Sequence, residues 1–252
     1  MITSERRLYI QKKLEENNIV YLNDLAKELN TSICTIRRDF DYLEEQKFCK
    51  RVRGGAVKIK DSGLLLESME MNDRLYINPD EKRMLCKKCA ELVQDNECIF
   101  IDGGTTFMDL CQFLEGKRVT VATHNDFIRT VSENSTISLT KIGGEYSPRF
   151  RMNLGSIAIK DLQYFHFDKA FIGCAGIGID PFEAYTSEMA TAMIKEEVIK
   201  RSKKTYIVAD AGKIGVYGFY KFAGENEIDA LITDFDSADK INSIEVIKPD
   251  ND

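Results

Sequence analysis

Apolar residues in the first sixty positions recur at helical spacing in three stretches and then change to short runs. From Ser4 to Asn17, Leu8, Ile10 and Leu14 stand among charged residues, which predicts an amphipathic helix ending at Asn17-Asn18. Ile19-Val20-Tyr21-Leu22 predicts a short strand. Asn23 is placed to cap a second helix through Leu25, Ala26 and Leu29, and Ser32 to cap a third whose inner face is Ile33, Ile36, Phe40 and Leu43. At about 100° per residue, Cys34, Thr35, Arg38 and Tyr42 of that third helix fall opposite or beside the apolar stripe, and Arg37 flanks it. Phe48 to Lys58 then reads as two short strands hinged at Gly54-Gly55, a small β-wing.

Residues 59–78 keep no clear period and read as a linker between a head, 1–58, and a body, 79–252. In the body, helical patterns over Glu81–Leu92, Phe107–Leu114, Phe127–Val131, Ser156–Tyr164 and Glu188–Arg201 alternate with short apolar runs. Those runs are Cys98–Ile101, Val119–Ala122, Ile137–Ile142, Lys169–Cys174, Thr205–Ala209 and Ile228–Thr233. Such alternation predicts an α/β body with a mostly parallel sheet covered on both faces.

Charge divides along the chain. Residues 1–60 hold 13 Lys and Arg against 9 Asp and Glu, within a total of −6, so a basic head precedes an acidic body. No apolar run approaches the roughly 18 residues of a membrane span, and no basic-then-apolar leader is seen, so a cytoplasmic protein with no membrane partner is expected. Seven scattered cysteines are expected to be reduced. Cys86 and Cys89 form a CxxC, but with no second pair and only His124 and His166 as histidines, two cysteines one helical turn apart is the reading against a zinc site. No metal and no cofactor are expected.

A basic exposed helix followed by a basic wing suits double-stranded DNA: Ser32, Thr35, Arg37, Arg38 and Tyr42 on the helix and Arg51 and Arg53 on the wing are the candidate contacts, with Lys50 and Lys58 as further phosphate ligands. A solvated basic face on an ordinary helix is the alternative for the helix alone. In the body, small polar residues collect just after the strands: Asp102-Gly103-Gly104-Thr105-Thr106, Thr123-His124-Asn125-Asp126, Gly143-Gly144, Gly173 to Gly176, and Asp210-Ala211-Gly212-Lys213. In a parallel sheet those loops share one edge, where ligands bind. The glycines and threonines of the first loop offer backbone and hydroxyl donors to a phosphate and Lys213 a positive charge, while Asp102, His124, Asn125 and Asp210 suit sugar hydroxyls. A tight strand-to-helix turn is the alternative for Gly103-Gly104.

Thr35-Ile36-Arg37-Arg38-Asp39-Phe40, Leu43-Glu44 and Arg51-Val52-Arg53-Gly54-Gly55-Ala56 resemble the helix and wing of the DeoR-type bacterial regulators. The body resembles that family's sensor domain at Asp102 to Thr106, Thr123-His124-Asn125, Gly143-Gly144, Gly155, Asp168, Phe171-Ile172-Gly173, Gly176-Ile177, Glu188, and Ala209-Asp210 with Lys213. The resemblance implies a winged helix-turn-helix followed by a domain akin to ribose-5-phosphate isomerase. It also implies a homo-oligomer, dimer or tetramer, that represses carbohydrate genes by binding operator DNA under control of a phosphorylated sugar or related metabolite. It adds Gly144, Gly176 and Glu188 to the effector set. Three positions depart from the family pattern: Lys47 in place of glycine, Gly212 in place of serine, and Glu183-Ala184-Tyr185 before Thr186. The reading from another class is a sugar-phosphate isomerase-like enzyme, with Asp102, Asp210, Glu188 and Lys213 as nominal acid–base groups. The sequence shows no activated nucleophile motif for it.

Overall fold

The computed structural model describes residues 2–17, 19–45, 48–52, 54–58, 71–75, 77–128, 135–237 and 241–250. The chain divides into two compact units, Met1–Leu65 and Leu66–Asp252.

In the first unit, helix α1 (Thr3–Asn17), strand β1 (Ile19–Tyr21), helix α2 (Leu22–Glu28) and helix α3 (Ile33–Glu45) lead into strands β2 (Cys49–Val52) and β3 (Gly55–Lys58). Strand β3 lies between β1 and β2, antiparallel to both. Ile10, Leu14, Leu25, Ile36, Phe40, Leu43 and Ala56 form one core. Three details differ from the sequence pattern. Leu8 is 64 % and Ile33 42 % exposed, so neither belongs to the inner face assigned to it. Helix α2 begins at Leu22, whose N–H donates to the Gly54 carbonyl at 2.7 Å, and extended Tyr21 takes the cap position expected of Asn23. The pairing of β1 with β3 continues into that bond and draws the helix start forward. The third difference is Asp39, fully buried and held by Arg6 Nε at 2.5 Å and Arg7 Nε at 3.0 Å, which ties α3 to α1.

In the second unit, helices α4 (Met71–Arg74) and α5 (Pro79–Glu91) precede strand β4 (Cys98–Ile101), helix α6 (Leu110–Phe113) and strands β5 (Thr120–Thr123) and β6 (Ser138–Lys141). A hairpin, β7 (Glu145–Ser147) and β8 (Met152–Leu154), leads to helix α7 (Gly155–Leu162) and strands β9 (Phe167–Gly173), β10 (Gly176–Ile179) and β11 (Phe182–Thr186). Helix α8 (Met189–Lys200) is followed by strands β12 (Ser202–Val208), β13 (Tyr220–Gly224), β14 (Ala230–Ile232) and β15 (Glu245–Ile247).

Seven strands form one sheet in the order β15-β14-β12-β9-β4-β5-β6, and every neighbouring pair is parallel. The expected parallel body is therefore present, with buried material on both faces as such sheets require. Alternation along the strands sorts the core: Ile99, Ile101, Val121 and Phe171 meet Leu85 and Cys89 of α5, while Phe100, Ala122 and Ile172 meet Leu162 of α7 and Val198 of α8. Strands β10, β11 and β13 make a separate antiparallel sheet that the sequence pattern did not reveal, and β15 and the β7–β8 hairpin were likewise unpredicted. The helix expected over Phe107–Leu114 is regular only at α6. Of that expected from Phe127, Phe127 and Ile128 are irregular and residues 129–131 lie outside the described residues, as do Lys47 and linker residues 59–70.

The chain runs outward from β4 toward β6 and then returns to the other side of β4 through β9, so strand order reverses between β4 and β9. Loops leaving those two strands diverge and open a crevice at their carboxyl ends.

Replacing Asp39 by Ala removes the acceptor that three Arg6 and Arg7 N–H groups share. The opening free energy of α3 in the full chain is expected to fall by about 2 kcal/mol, read as faster amide hydrogen exchange at Ile36–Leu43. Unaltered exchange there would show that the tie is not holding α3.

Candidate functional site

Two separate surfaces carry candidate chemistry, one in each unit. On the first, Ser32 caps α3: its Oγ accepts from the Thr35 N–H at 3.1 Å and meets Thr35 Oγ1 at 2.8 Å. Arg37 and Arg38 are exposed and have no hydrogen bond or ion pair among the described residues. Tyr42 is 41 % exposed with the Arg7 guanidinium stacked on its ring at 3.7 Å. Arg51 sits on the wing, its guanidinium against Asp41 and its N–H donating to Glu44 Oε1 at 2.7 Å, so a phosphate there competes with an internal carboxylate. Arg53 lies outside the described residues. The described face thus offers two unpaired arginines on the outer side of a capped helix, the arrangement that a groove-reading helix needs.

In the second unit a cleft at the β4/β9 divergence encloses about 740 Å³ of empty space, part of it open to solvent. Its walls include Asp102, Gly103, Gly104, Thr105 and Thr106 from the loop after β4, and Asp210 and Lys213 from the loop after β12. These are seven of the residues singled out from sequence. The other six lie outside the lining. Thr123, His124 and Asn125 are buried behind the 102–106 loop and hold it. Asn125 Nδ2 donates to the Asp102 carbonyl at 3.1 Å and the Gly104 carbonyl at 2.7 Å, and Thr123 Oγ1 accepts from the Asn125 N–H at 3.1 Å. His124 Nε2 accepts from the Gly103 N–H at 2.9 Å, and its Nδ1 meets the Asn153 carbonyl at 3.0 Å. Gly144 opens the β7–β8 hairpin, and Glu188 is half-exposed at the start of α8, 3.2 Å from Arg149. Gly176 is a packing glycine, since a Cβ there would lie 2.2 Å from the Val216 carbonyl oxygen.

Asp102 is fully buried at the floor of the cleft. Its carboxylate accepts from the Lys195 ammonium and from the Gly173 N–H at 2.9 Å, and His124 Nε2, taken up by the Gly103 N–H, lies 3.1 Å away. Burial pushes this carboxyl up, but the Lys195 charge, followed by His124, outweighs burial and holds it at about 2.

Around the loop's other end the charge is positive. Lys82 Nζ donates to Thr105 Oγ1 at 2.8 Å and to the Arg74 carbonyl at 2.6 Å. Desolvation pushes Lys82 down to about 7; Asp210 opposes the fall, and the nearby Arg74 and Lys213 charges add to it. Lys213 is 8 % exposed, lines the cleft and has no hydrogen bond or ion pair for its ammonium among the described residues. Asp210 Oδ1 is occupied by Asn78 Nδ2 at 2.9 Å and the Gly212 N–H at 3.0 Å, so it braces the turn that carries Lys213. Gly104 takes φ +108°, a conformation L side chains rarely adopt, and lets the loop face this cluster. Three cations, a threonine hydroxyl and a glycine-bearing turn are donors of the kind that an anion requires.

Lys82, Lys195, Arg74, Thr186 and Thr191 also line the cleft and were not anticipated. A signal for two of them was present. Lys195 falls on the stripe Thr191, Ile194, Val198, and Lys82 one turn ahead of Leu85 and Cys86, so each is a lysine on an otherwise buried helix face. Among the described residues no group of three or more His, Cys, Asp or Glu is arranged to hold a metal ion, and no helix is long and apolar enough to cross a membrane. Cys86 and Cys89 are both buried on α5, the Cys86 thiol donating to the Thr106 carbonyl and raised by burial to about 12.

Comparison with known proteins agrees with this division. The DeoR-like helix-turn-helix domain matches residues 6–62, and the DeoR C terminal sensor domain matches residues 77–235. The chain is 31 % identical over 255 residues to the HTH-type transcriptional regulator FruR of Bacillus subtilis, covering 99 % of this chain and 100 % of that protein. It is 31 % identical over 235 residues to the HTH-type transcriptional repressor GlcR of the same organism, covering 93 % and 89 %. Among solved structures, ribose 5-phosphate isomerase A from Methanocaldococcus jannaschii is similar over 54 % of this chain and 55 % of its own, at 17 % identity and a TM-score of 0.40. With both domain models matched in order and a relative aligned from end to end, the chain belongs to the DeoR family of helix-turn-helix transcriptional regulators.

Proposed function

We propose that this regulator is a repressor of carbohydrate genes whose hold on operator DNA is changed by a phosphorylated sugar bound in the cleft of the second unit. The observation that carries the reading is the gathering of Lys82, Arg74 and Lys213 about Thr105 at the mouth of a parallel sheet, in a chain that also presents Arg37 and Arg38 on an outward helix face. The phosphate takes the cationic end, and the rest of the sugar lies along the loop toward Asp102 and Thr186. The similarity to a named repressor, GlcR, supports the sign of the effect. The paired heads of a homo-oligomer, dimer or tetramer, belong to the same proposal, because helix-turn-helix proteins read half-sites in pairs. Occupancy of the cleft alters operator affinity only by the difference in its affinity for the two states.

The relatives are transcription regulators, and Asp102, the first of the nominal acid–base groups, is poorly suited to an isomerase. Asp102 at about 2 is a weak proton acceptor, held ionised by the Lys195 ammonium and the Gly173 N–H.

Replacing Arg38 by Ala is expected to cost about 1–3 kcal/mol on operator DNA and less on random DNA at the same salt, measured by fluorescence anisotropy. Equal losses on both would remove Arg38 from base reading. Replacing Lys213 by Ala is expected to weaken a sugar phosphate by about tenfold or more while leaving operator binding without effector intact. An unchanged affinity contradicts its role.

Lys82 at about 7 makes a further expectation. Above that pH the empty site has lost a proton that a bound anion restores, so affinity falls as pH rises and binding takes up a proton. Calorimetry at pH 8 with inorganic sulfate, in two buffers of different ionisation enthalpy, is expected to show uptake approaching about one proton, abolished in Lys82→Met. Zero uptake in the unaltered chain rules out Lys82 as a phosphate ligand.

A further inference from the structure

The cleft has two chemically different ends. Lys82 Nζ donates to Thr105 Oγ1 toward the far end of the 102–106 loop, with Arg74, Lys213 and Asp210 on the same cleft wall, whereas Lys195 Nζ meets Asp102 at the start of that loop. The two lysines therefore hold different stretches of one loop along the cleft. The first end carries a positive excess; at the second, Lys195 and Asp102 cancel.

Thr191 stands one turn before Lys195 on the buried face of α8, and its hydroxyl meets that of Thr186 on β11 at 2.8 Å. Thr186, Thr191 and Lys195 line the cleft together with Asp102. Counting hydroxyl hydrogens fixes their direction. Thr191 gives its single hydrogen to the Glu188 carbonyl at 2.8 Å, so Thr186 gives its own to Thr191 Oγ1. Both hydrogens are then spent, and Thr186 Oγ1 keeps only lone pairs for a ligand. Lys195 donates to Asp102 and, at 2.9 Å, to the Gly173 carbonyl, which leaves one hydrogen. This end is therefore rich in acceptors and offers one donor.

We infer that the Lys195 end reads the uncharged, hydroxyl-bearing part of a monophosphate ester and refuses a second phosphate or a carboxylate. The inference rests on the assignment of the phosphate to the Lys82 end. A sugar or polyol hydroxyl donates to Asp102 or Thr186 and accepts from Lys195. An ionised phosphate or carboxylate brings no hydrogen for those acceptors, and it sets a negative charge beside the Asp102 carboxylate.

The test is calorimetry on the full chain at neutral pH with inorganic phosphate, a panel of sugar and polyol monophosphates, the bisphosphates of the same sugars, and phosphorylated sugar acids. The tightest compound is expected to be a monophosphate, bound about tenfold or more better than its bisphosphate. Thr186→Val is expected to weaken that monophosphate about tenfold and leave inorganic phosphate unchanged. A bisphosphate or phosphorylated acid as the tightest compound overturns the inference, as does a panel in which no ester exceeds inorganic phosphate. A Thr186→Val loss that extends equally to inorganic phosphate, or no loss at all, overturns it too. Should that variant fail to fold, the monophosphate and bisphosphate comparison on the unaltered chain decides alone. Inorganic phosphate binding that persists undiminished in Lys82→Met and Lys213→Ala counts against the phosphate assignment itself, a result distinguishable from failure at the Lys195 end.

Discussion

An ionised carboxylate removed from water at the end of a parallel strand is the constraint on which the second unit turns. Taking such an ion out of water costs several kcal/mol even after the protein relaxes, so Asp102 stays charged only because partners converge on it. Those partners are Lys195 on α8 and the N–H of Gly173 at the end of β9, while His124 just beyond β5 takes the neighbouring Gly103 N–H. They are far apart in sequence and meet where strand order reverses. Satisfying one side chain therefore docks α8 against the sheet and pins the start of the 102–106 loop. The position of Thr105 beside Lys82 follows from that anchoring, reinforced from behind by the Asn125 amide.

The first unit uses the same device at smaller scale. Asp39 is buried and shared by Arg6 and Arg7, and because it points inward, the rotation of α3 about its axis is set. Arg38 and Arg37 precede it by one and two residues, which turns them away from α1 by about 100° and 200°. The acid in an Arg-Arg-Asp sequence thus decides where the arginines point. Arginine suits the α1 side of this tie, since a planar fork reaches a carboxylate with more than one N–H.

Much of this was legible in the sequence because it depends on local period. The Ile36, Phe40, Leu43 stripe, the hairpin turning at Gly54, and the apolar strands β4, β5, β9 and β12 all show in spacing alone. What escaped depends on contacts between distant residues. Strands β10 and β11 are short, and Gly176 and Gly178 dilute their pattern, so only their pairing with each other and with β13 makes them strands. His124 and Asn125 were legible as polar residues at the sheet edge, but not the side on which they stand; they support the 102–106 loop from behind and leave the cleft wall to the loop itself. Asp39 was visible as part of a motif, and its burial was not, because the arginines that neutralise it lie on another helix.

The two lysines that broke the apolar stripes explain one another. Lys195 meets a carboxylate and forms a neutral pair, whereas Lys82 has no carboxylate in contact among the described residues and is pushed down to about 7. A cation enclosed without an anion is a cost carried by the empty protein, and it is removed when an anion arrives. The cleft is therefore least favourable when empty at the Lys82 end and already balanced at the Lys195 end. On the proposed reading, that asymmetry orients a ligand with one charged end and gives occupancy a free energy that can change the state of the regulator.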